Sequence, residues 1–524
     1  MNDSTTIEEV LAQDFRTLPE LLRMHAAARP QHIALRQDAR SLDYRALDEL
    51  ADRIAASLQR DGVKPKQVIA ICAGTSIEYA AVFIGALRVG VAVAPLAPSS
   101  TAASIATMLE DAGAALLFVD ATVAKALEPV RDRIAVQWVA LDDSSVGNSF
   151  QKWLVAAGTV PTGVVAEPDA PFNLIYSSGT TGTPKGIVQS NLMRWRQWQR
   201  AIAYDYMPDS VTIVSTPLYS NTTLVSFLPT LAVGGVVVLM TKFEATQFLE
   251  LAQKYRATTA MLVPVQYSRI MALPEFDHYD LTSFRAKFCT SAPFAANLKA
   301  AILKRWPGRL IEYYGMTEGG GTCVLEATLH PDKLHTVGCP APGHDIRLID
   351  DQGRELPPDS TGEIVGHSEG IMTGYHNQPA KTAEAEWLDP TGRRFIRTGD
   401  IGRFDEDGFL ILMDRKKDMI ISGGFNVYPS DLEAVLHAHA DVAEAAVVGV
   451  PSERWGETPV AFVVAKRQDP QLSQTLLDWT NGQLGKTQRL AAIELVDSLP
   501  RSPIGKVLKR ELRDAYREKA LDLS

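Results

Sequence analysis

The stretch YSSGTTGTPKGIV, residues 176–188, decides how the rest of this 524-residue sequence is interpreted. It follows the apolar run FNLI and concentrates glycines, hydroxyl side chains and a lysine in a short segment. Glycine lets backbone N–H groups turn toward an anion, hydroxyl groups add donors, and lysine adds a point charge. The stretch therefore predicts a phosphate-binding loop after a buried strand. The alternative is a flexible Ser/Gly linker, which would need neither the strand nor the lysine.

This loop does not follow the Walker A pattern, which needs a glycine five residues before Gly-Lys and a Ser or Thr after it. The nearest approach elsewhere in the chain is GKT at 485–487, where Thr480 occupies the position of the required first glycine. We interpret GKT as the end of a helix.

Around the loop, apolar runs suited to buried strands alternate with segments of helical periodicity, a pattern typical of a parallel α/β sheet. The predicted helices include 20–28, 41–59 and 77–89, and the predicted strands include 68–73, 115–120 and 134–142. From about Asp345 the sequence predicts short antiparallel strands, and after Asp418 a compact α+β segment. We expect an α/β fold class: a large N-terminal domain of α/β subdomains with a small β-barrel-like unit, and a small mobile α+β C-terminal domain.

Composition excludes several classes of protein. With 52 basic and 62 acidic residues the formal charge is −10, and 46% of the residues are hydrophobic. These values argue against a disordered chain and against a broad basic surface for nucleic acid. The four cysteines form no CxxC pair, and residues 1–15 lack the basic and apolar regions of a signal peptide. We expect a reduced, cytoplasmic protein with no nucleic-acid partner and no membrane insertion.

The loop resembles the phosphate-binding signature of the adenylate-forming superfamily, which includes acyl-CoA synthetases, aryl-CoA ligases, luciferases and peptide-synthetase adenylation domains. Four further stretches match that family's motifs in the family's order: YYGMTEGGG at 313–321, RTGDIG at 397–402, DRKKDMIISGGFNVYP at 414–429 and PRSPIGKVLKREL at 500–512. The resemblance implies that ATP and Mg²⁺ activate a carboxylic acid as an acyl-adenylate. It also implies transfer of the acyl group to a thiol such as that of coenzyme A.

The resemblance implies a nucleotide site built from these motifs. Contacts to ATP or AMP fall on Ser177, Ser178, Gly179, Thr180, Thr181, Gly182, Lys185, Ser291, Ala292, Pro293, Tyr313, Tyr314, Gly315, Met316, Thr317, Asp400 and Arg415. In this assignment Tyr314 stacks on adenine, and Asp400 and Arg415 hold the ribose. Glu318 is the metal ligand, because Mg²⁺ takes hard oxygen ligands. The catalytic roles fall on Thr181, Glu318 and Lys506.

The resemblance also divides the chain. Residues 1–413 are expected to form the N-terminal adenylation domain, 414–417 the hinge and 418–524 the mobile C-terminal domain. Lys417 falls on the hinge position, about which the C-terminal domain rotates between the two half-reactions. Gly423 and Gly424 match the stretch that lines the tunnel for the pantetheine arm of CoA.

The acyl pocket is expected at Tyr219, Ser220, Asn221, Cys289, Thr290, Gly315 and Met316. Many acyl- and aryl-CoA ligases have a histidine just after the turn that Tyr219 ends, whereas this sequence has Ser220 and then Asn221. The mixed polarity of the set favours an aromatic, hydroxylated or medium-chain acid over a long fatty acid, and the particular acid stays open.

Other charged and aromatic positions are interpreted as structural. Trp195 and Trp198 are expected on the buried side of a helix, with Arg194, Arg196 and Arg200 outside; a nucleotide or carboxylate site is the alternative. We expect Lys416, Lys509 and Arg510 to face solvent. The stretch 370–384, GIMTGYHNQPAKTAE, is interpreted as structural and as support for the domain interface.

Three functions remain open: an acid–CoA ligase, an adenylating enzyme that loads a carrier protein's phosphopantetheine or stops at acyl-AMP, and an inactive nucleotide-binding module. The presence of Lys185, Glu318, Asp400, Arg415 and Lys506 argues against the third. No carrier domain follows in this sequence, which favours the first. The oligomeric state stays open, with a homodimer among the alternatives.

Overall fold

The computed structural model describes residues 6–142, 144–177, 184–416, 418–422, 425–452, 455–467, 469–485, 488–502 and 505–522. Several predicted site residues lie outside this part: Ser178, Gly179, Thr180, Thr181, Gly182, Lys417, Gly423 and Gly424. The chain divides into two compact units. Unit 1 comprises Met1–Leu334, Pro340–Asp345 and Gly366–Ile396, and unit 2 comprises His335–Cys339, Ile346–Val365 and Arg397–Ser524.

The α-helices are, in chain order, α1 (Ile7–Leu11), α2 (Leu18–Ala28), α3 (Tyr44–Arg60), α4 (Ile77–Arg88), α5 (Ala102–Ala112), α6 (Ala121–Leu127), α7 (Phe150–Trp153), α8 (Asn191–Trp198), α9 (Asn221–Ala232), α10 (Ala245–Tyr255), α11 (Pro264–Met271), α12 (Ala296–Arg305), α13 (Pro379–Glu384), α14 (Pro429–His437), α15 (Leu472–Gln483) and α16 (Lys509–Asp522). Short 3₁₀ helices cover Glu128–Arg133, Ile202–Tyr204 and Phe276–His278. None of the helices in the described ranges is long and apolar enough to cross a bilayer.

The strands are β1 (Ile33–Gln37), β2 (Arg40–Asp43), β3 (Val68–Cys72), β4 (Ala92–Pro95), β5 (Leu116–Val119), β6 (Gln137–Ala140), β7 (Asn148–Ser149), β8 (Pro171–Ser177), β9 (Lys185–Ser190), β10 (Val211–Val214), β11 (Val236–Leu239), β12 (Thr259–Leu262), β13 (Ala286–Cys289), β14 (Arg309–Tyr314), β15 (Cys323–Glu326), β16 (Cys339–Pro340), β17 (Asp345–Ile349), β18 (Glu355–Leu356), β19 (Gly362–His367), β20 (Gly374–Tyr375), β21 (Glu386–Leu388), β22 (Arg394–Phe404), β23 (Leu410–Arg415), β24 (Ile420–Ser422), β25 (Phe425–Val427), β26 (Val442–Ser452), β27 (Gly456–Ala465) and β28 (Ala492–Leu495).

Two sheets form the framework of unit 1. One has the strand order β20-β9-β8-β4-β3-β5-β6-β7, and the other includes the neighbours β15-β14-β13-β12-β10-β11-β1-β2. Strand β3 runs parallel to β4 and β5, and β13 runs parallel to β12 and β14. This arrangement confirms the α/β alternation predicted from the sequence.

Local capping and close packing explain the positions of several helices. The predicted helix 41–59 begins only at Tyr44, because residues 40–43 form β2 and the Asp43 carboxylate accepts a hydrogen bond from the Ala46 N–H. Helix α4 is buried along most of its length and approaches α3 closely at Gly85, where a Cβ atom would lie 2.6 Å from the Cβ of Ile54. Helix α4 is therefore a core element of unit 1.

The strand order brings the predicted site segments of unit 1 to the ends of neighbouring strands. Residues 290–293 follow β13, and residues 315–321 follow its parallel neighbour β14. In the other sheet β8 and β9 form an antiparallel pair in which Ser177 lies opposite Lys185. Ligands of open α/β sheets bind beyond the carboxyl ends of the strands, so these segments are placed where a substrate site is expected.

Unit 2 contains two groups of strands. Strand β17 pairs antiparallel with β18, and the second half of β22 pairs with β23, as the predicted antiparallel unit requires. In the C-terminal segment β26 pairs antiparallel with β27, and β28 lies parallel to β27. This division places residues 397–413 together with the C-terminal segment. The hinge at 414–417 stays a prediction.

Candidate active site

A side-chain hydrogen bond and a close contact between strands hold the base of the hairpin formed by β8 and β9 in unit 1. Tyr176 lies opposite Gly186, and the Tyr176 hydroxyl donates a hydrogen bond to Asp111 Oδ2 across 2.6 Å. A Cβ atom on Gly186 would come within 3.1 Å of the Tyr176 ring, so glycine allows the close approach of the two strands. The hairpin therefore fixes Lys185 directly after the predicted phosphate loop. The loop joins two antiparallel strands, whereas a Walker A loop leads from a strand into a helix.

Tyr375 joins two predicted site residues. Strand β20 pairs with β9, which places Tyr375 opposite Ile187. The Tyr375 hydroxyl donates a hydrogen bond to Glu318 Oε1 across 2.9 Å, and Lys185 Nζ lies 4.9 Å from the centroid of the Tyr375 ring. Burial, together with the charge of Glu318, raises the pKa of the Tyr375 hydroxyl, so it stays a protonated donor. The Glu318 carboxylate and the Lys185 ammonium group thus both lie beside the side chain of Tyr375.

The glycines after Glu318 shape the turn that carries its carboxylate. Gly319 and Gly320 have φ angles of +77° and +78°, which side chains other than glycine rarely adopt. A Cβ atom on Gly319 would lie 2.0 Å from the Gly370 carbonyl oxygen. The Glu318 carbonyl accepts a hydrogen bond from the Met372 N–H across 2.8 Å. The backbone therefore holds Glu318 against the segment that leads to Tyr375.

The residues around Glu318 can accommodate a magnesium ion that arrives with ATP. No group of three or more His, Cys, Asp and Glu side chains that could hold a metal occurs in the described part of the chain. Mg²⁺ is commonly held by one or two carboxylates together with substrate phosphates and waters. A single carboxylate, kept in place by Tyr375 and beside a lysine, suits that arrangement.

Hydrogen bonds tie the ends of the neighbouring strands to one another. The Thr290 hydroxyl donates to the Tyr313 carbonyl across 2.9 Å, and Gln189 Nε2 donates to the Thr317 carbonyl across 2.7 Å. The hydroxyls of Thr222 and Ser291 also form a hydrogen bond. Ser291 has a φ angle of +83°, a strained conformation of the kind that clusters at functional sites. These contacts bring the predicted nucleotide and acyl segments of unit 1 together.

Exposure differs among the other predicted residues of unit 1. Tyr219, Asn221, Thr290, Ala292, Tyr314 and Met316 are half-buried, whereas Pro293 and Gly315 are exposed. Ser220 and Cys289 are buried. The Tyr313 ring stacks on Phe288 with centroids 5.7 Å apart, so its side chain takes part in core packing. The roles of these residues toward ATP and the acid stay predictions.

Asp400 and Arg415, the predicted ribose contacts, are paired in unit 2. They lie opposite each other on β22 and β23, and Arg415 Nε lies 2.9 Å from Asp400 Oδ1. The Asp400 side chain is mostly buried, and the Arg415 side chain is more exposed. The two residues that the sequence places fifteen positions apart therefore form one polar element.

Lys506 lies in a tight turn of unit 2. The Lys506 N–H donates to Ser502 Oγ across 3.1 Å, and the Ser502 N–H donates to the Lys506 carbonyl across 2.8 Å. Gly505 has a φ angle of +80°, and Arg501 Nη1 donates to its carbonyl. The backbone of the predicted catalytic lysine is therefore held by its own loop, as the Pro/Gly turn predicts.

Two expectations about charged residues were wrong, those for Lys509 and Arg194. Lys416 is partly exposed and forms ion pairs with Asp351 and Glu363, at 2.8 and 3.2 Å. Lys509, at the start of α16, is mostly buried and pairs with Glu433 at 2.9 Å. Arg510 is exposed, as expected.

The second exception is on α8. Trp195 and Trp198 are buried, as expected, and Arg196 and Arg200 are partly exposed. Arg194 is fully buried, because neutral amide side chains surround its guanidinium. Arg194 lies four residues before the buried Trp198, and residues four apart lie on the same face of a helix. This spacing in the sequence indicates that Arg194 is on the buried face.

The sequence did not identify Tyr375 or Gln189, which contact the predicted site residues Glu318 and Thr317. Tyr375 lies in the stretch 370–384, which was interpreted as structural, and its contact with Glu318 depends on the pairing of β20 with β9. Gln189 alternates with apolar residues on β9 and carries no motif of its own. Both residues join segments that are distant in the chain, so local patterns do not show them.

Comparison with known proteins gives matches over nearly the whole chain. Residues 22–376 match the AMP-binding enzyme family, and residues 431–506 match the AMP-binding enzyme C-terminal domain. A fatty acid–[acyl-carrier-protein] ligase, ScoC, from Streptomyces coeruleorubidus is 33% identical, covering 96% of this chain and 96% of that protein. An indoleacetate–CoA ligase from Aromatoleum aromaticum is 31% identical, covering 96% of this chain and 98% of that protein.

A solved structure agrees with these matches. The ATP-bound crystal structure of MatB from Rhodopseudomonas palustris is 27% identical, with a TM-score of 0.84, and covers 96% of this chain and 99% of that one. The fold, the ordered motifs and the sequence matches lead to one conclusion: the chain belongs to the AMP-binding enzyme family of adenylate-forming acid ligases.

Proposed function

We propose that this enzyme is an AMP-forming carboxylic acid–CoA ligase. It joins a carboxylic acid to ATP, giving acyl-adenylate and pyrophosphate, and then transfers the acyl group to the thiol of coenzyme A with release of AMP. The observation that carries the proposal is the cluster of Glu318, Tyr375 and Lys185, which combines a carboxylate for Mg²⁺ with a cation for phosphate.

The first half-reaction brings two anions together. The carboxylate of the acid attacks the α-phosphorus of ATP, and pyrophosphate leaves with the electron pair of the broken P–O bond. The resemblance to the family assigns Lys185 and Lys506 to phosphate oxygens on which charge develops. Glu318 would hold a Mg²⁺ ion, which would neutralise phosphate charge. One well-placed donor of this kind contributes about 3–4 kcal/mol to the transition state, and alignment of the reactants contributes more.

Asp400 and Arg415 suit the ribose of the nucleotide. A carboxylate can accept hydrogen bonds from two neighbouring hydroxyls. The contact of Arg415 Nε with Asp400 Oδ1, at 2.9 Å, orients the carboxylate for that diol. These two residues therefore bind and orient ATP without taking part in bond making.

The second half-reaction needs a different arrangement. The thiolate of CoA attacks the acyl-adenylate carbonyl, the C–O bond to AMP breaks, and AMP leaves. By resemblance to the family, the C-terminal domain rotates about Lys417, which removes Lys506 and brings Gly423 and Gly424 to the tunnel for the pantetheine arm. Such gating motions are common in enzymes with more than one chemical step.

A carrier-protein thiol is the second candidate acceptor. The printed name of the Streptomyces coeruleorubidus relative specifies an acyl carrier protein, whereas that of the Aromatoleum aromaticum relative specifies CoA and an aromatic acid. The half-buried and polar residues of the predicted acyl pocket, Tyr219 and Asn221 among them, favour an aromatic or hydroxylated acid. We therefore place CoA and an acid of that class first.

Exchange of labelled pyrophosphate into ATP, measured without any thiol, tests the first half-reaction. We expect exchange that requires both an acid and Mg²⁺ and that is strongest with aromatic, hydroxylated or medium-chain acids. A complete lack of acid-dependent exchange across such a panel would overturn the proposed function.

A further inference from the structure

Arg194 is a fully buried cation in contact with the predicted acyl pocket. Its Nη2 atom donates to Asn221 Oδ1 across 2.9 Å and to Asn173 Oδ1 across 3.1 Å, and it also donates to Gln189 Oε1. Its Nη1 atom donates to Gln197 Oε1 across 3.0 Å. The guanidinium therefore stands at the centre of a group of amide oxygens.

This cation has no carboxylate to neutralise it in the part of the chain that the structure describes. Its hydrogen-bond partners there are neutral amides, and its guanidinium carbon lies 5.7 Å from the centroid of the Phe172 ring. Burial lowers the pKa of Arg194 to about 9, so the side chain still carries its charge at neutral pH. A buried charge without a counter-charge lowers the free energy of unfolding. An apolar residue would fill the same space without that cost.

The guanidinium also determines how the surrounding amides are turned. Arginine only donates hydrogen bonds, so each amide that meets it must present its oxygen. For Gln189 the consequence is visible, because its Nε2 group donates to the Thr317 carbonyl across 2.7 Å. For Asn221, whose Oδ1 atom faces Arg194, the NH₂ group is the donor that remains for other partners.

Asn221 stands at the first turn of α9, where it is half-buried, and the next residue, Thr222, is hydrogen-bonded to Ser291 beyond β13. A donor at this place, with an unneutralised cation directly behind it, complements an anion. The anion that every substrate of an acid ligase carries is its carboxylate.

We propose that Arg194 is a positioning residue that turns the Asn221 amide so that its NH₂ group binds the carboxylate of the acid substrate. The inference rests on the proposed function and deepens it. Arg194 does not touch the acid; it acts through Asn221, and its charge strengthens the attraction for the anion.

Two substitutions separate this role from a purely structural one. Asn221→Asp keeps an oxygen for Arg194 but replaces the donor with a second oxygen and neutralises the cation. Arg194→Lys keeps a charge but removes the fork that holds several amides at once. We expect each variant to raise the KM for the acid at least about tenfold, the effect of about 1.4 kcal/mol, and to change the KM for ATP less than about twofold.

The experiment measures acid-dependent pyrophosphate exchange for the wild type, Asn221→Asp, Asn221→Ala, Arg194→Lys and the Asn221→Ala/Arg194→Lys double variant, with the thermal midpoint of each as a check of folding. If Arg194 acts through Asn221, the KM for the acid rises little more in the double variant than in either single variant. Arg196→Lys is the matched control: Arg196 lies on the same helix, pairs with Glu369 at 2.8 Å and should leave both KM values unchanged.

The outcomes distinguish the inference from the function on which it rests. Wild-type enzyme that shows no acid-dependent exchange overturns the proposed function and the inference together. The inference alone is overturned if the wild type shows normal exchange but the rises in the KM for the acid add up in the double variant. Equal rises in the KM for the acid and the KM for ATP also overturn it. Should Arg194→Lys fail to fold, Asn221→Asp decides: an unchanged KM for the acid contradicts the inference.

Discussion

The Tyr375 hydroxyl donates a hydrogen bond to the Glu318 carboxylate across 2.9 Å, although the two residues are 57 positions apart in the chain. The same ring lies 4.9 Å from Lys185 Nζ. One tyrosine therefore sets the distance between the carboxylate proposed for Mg²⁺ and the lysine proposed for phosphate, and its removal should affect the binding of MgATP more than that of the acid.

Tyr375→Phe removes this hydroxyl while keeping the ring. A hydrogen bond to a charged group contributes about 1.5–3 kcal/mol, so we expect the KM for MgATP to rise about tenfold or more, with little change in the KM for the acid. Pyrophosphate exchange over a range of Mg²⁺ concentrations measures the effect. Tyr279→Phe, at a tyrosine elsewhere in unit 1, serves as the control, and an unchanged Mg²⁺ dependence in Tyr375→Phe would contradict the assignment.

Gly319→Ala tests whether the turn after Glu318 must be made of glycine. The added Cβ atom would lie 2.0 Å from the Gly370 carbonyl oxygen, so the backbone that carries Glu318 has to move. We expect at least a hundredfold loss of exchange activity, because small displacements of a positioned group are costly to catalysis.

Gly392→Ala is the matched control for that substitution. Gly392 also has a positive φ angle, +83°, but a Cβ atom there meets nothing within 4 Å. The left-handed backbone conformation should cost alanine about 1–2 kcal/mol of stability, and activity should stay intact. Equal losses of activity in the two variants would show that backbone strain alone, and not the position of Glu318, explains the result.

The sequence predicts the parts of the fold and the site that depend on local pattern. The alternation of strands and helices, the strand before the loop, and the position of Lys185 after it follow from residues adjacent in the chain. The contact of Tyr375 with Glu318 and the burial of Arg194 depend on which strands pair and on which side chains surround a helix. Such information is absent from a single segment, and a charged residue such as Arg194 is ordinarily expected at the surface.

His25 should make the stability of unit 1 depend on pH. Its Nε2 group lies 2.8 Å from the Ala232 carbonyl, and burial, with smaller contributions from Arg29 and His32, lowers its pKa to about 4. The unfolded histidine titrates near 6.5, so between pH 6.5 and pH 4 the unfolded state binds more protons and stability falls as the pH falls. The full loss amounts to about 3 kcal/mol.

Urea unfolding at several values between pH 4.5 and pH 7 measures this dependence. His25→Gln retains a donor for the Ala232 carbonyl and should flatten the profile between pH 4 and pH 6.5. His278→Gln, at an exposed histidine, should leave the profile as in the wild type. A profile that His25→Gln does not alter would show that another group is responsible.

Lys506→Ala should separate the two half-reactions. Loss of a charged donor to the reacting phosphate should slow adenylation at least about a hundredfold, while thioester formation from supplied acyl-AMP stays near the wild-type rate. Lys519→Ala, at an exposed lysine of α16 that pairs with Glu494, is the control. If both half-reactions fall equally, Lys506 is not the lysine of the adenylation step.

The proposed enzyme makes an acyl-adenylate and passes its acyl group to CoA. The most direct measurement is to incubate it with ATP, Mg²⁺ and CoA across a panel of carboxylic acids and to quantify AMP and acyl-CoA by mass spectrometry. We expect AMP and acyl-CoA in equal amounts for at least one aromatic, hydroxylated or medium-chain acid. AMP or acyl-AMP without any acyl-CoA would contradict this expectation.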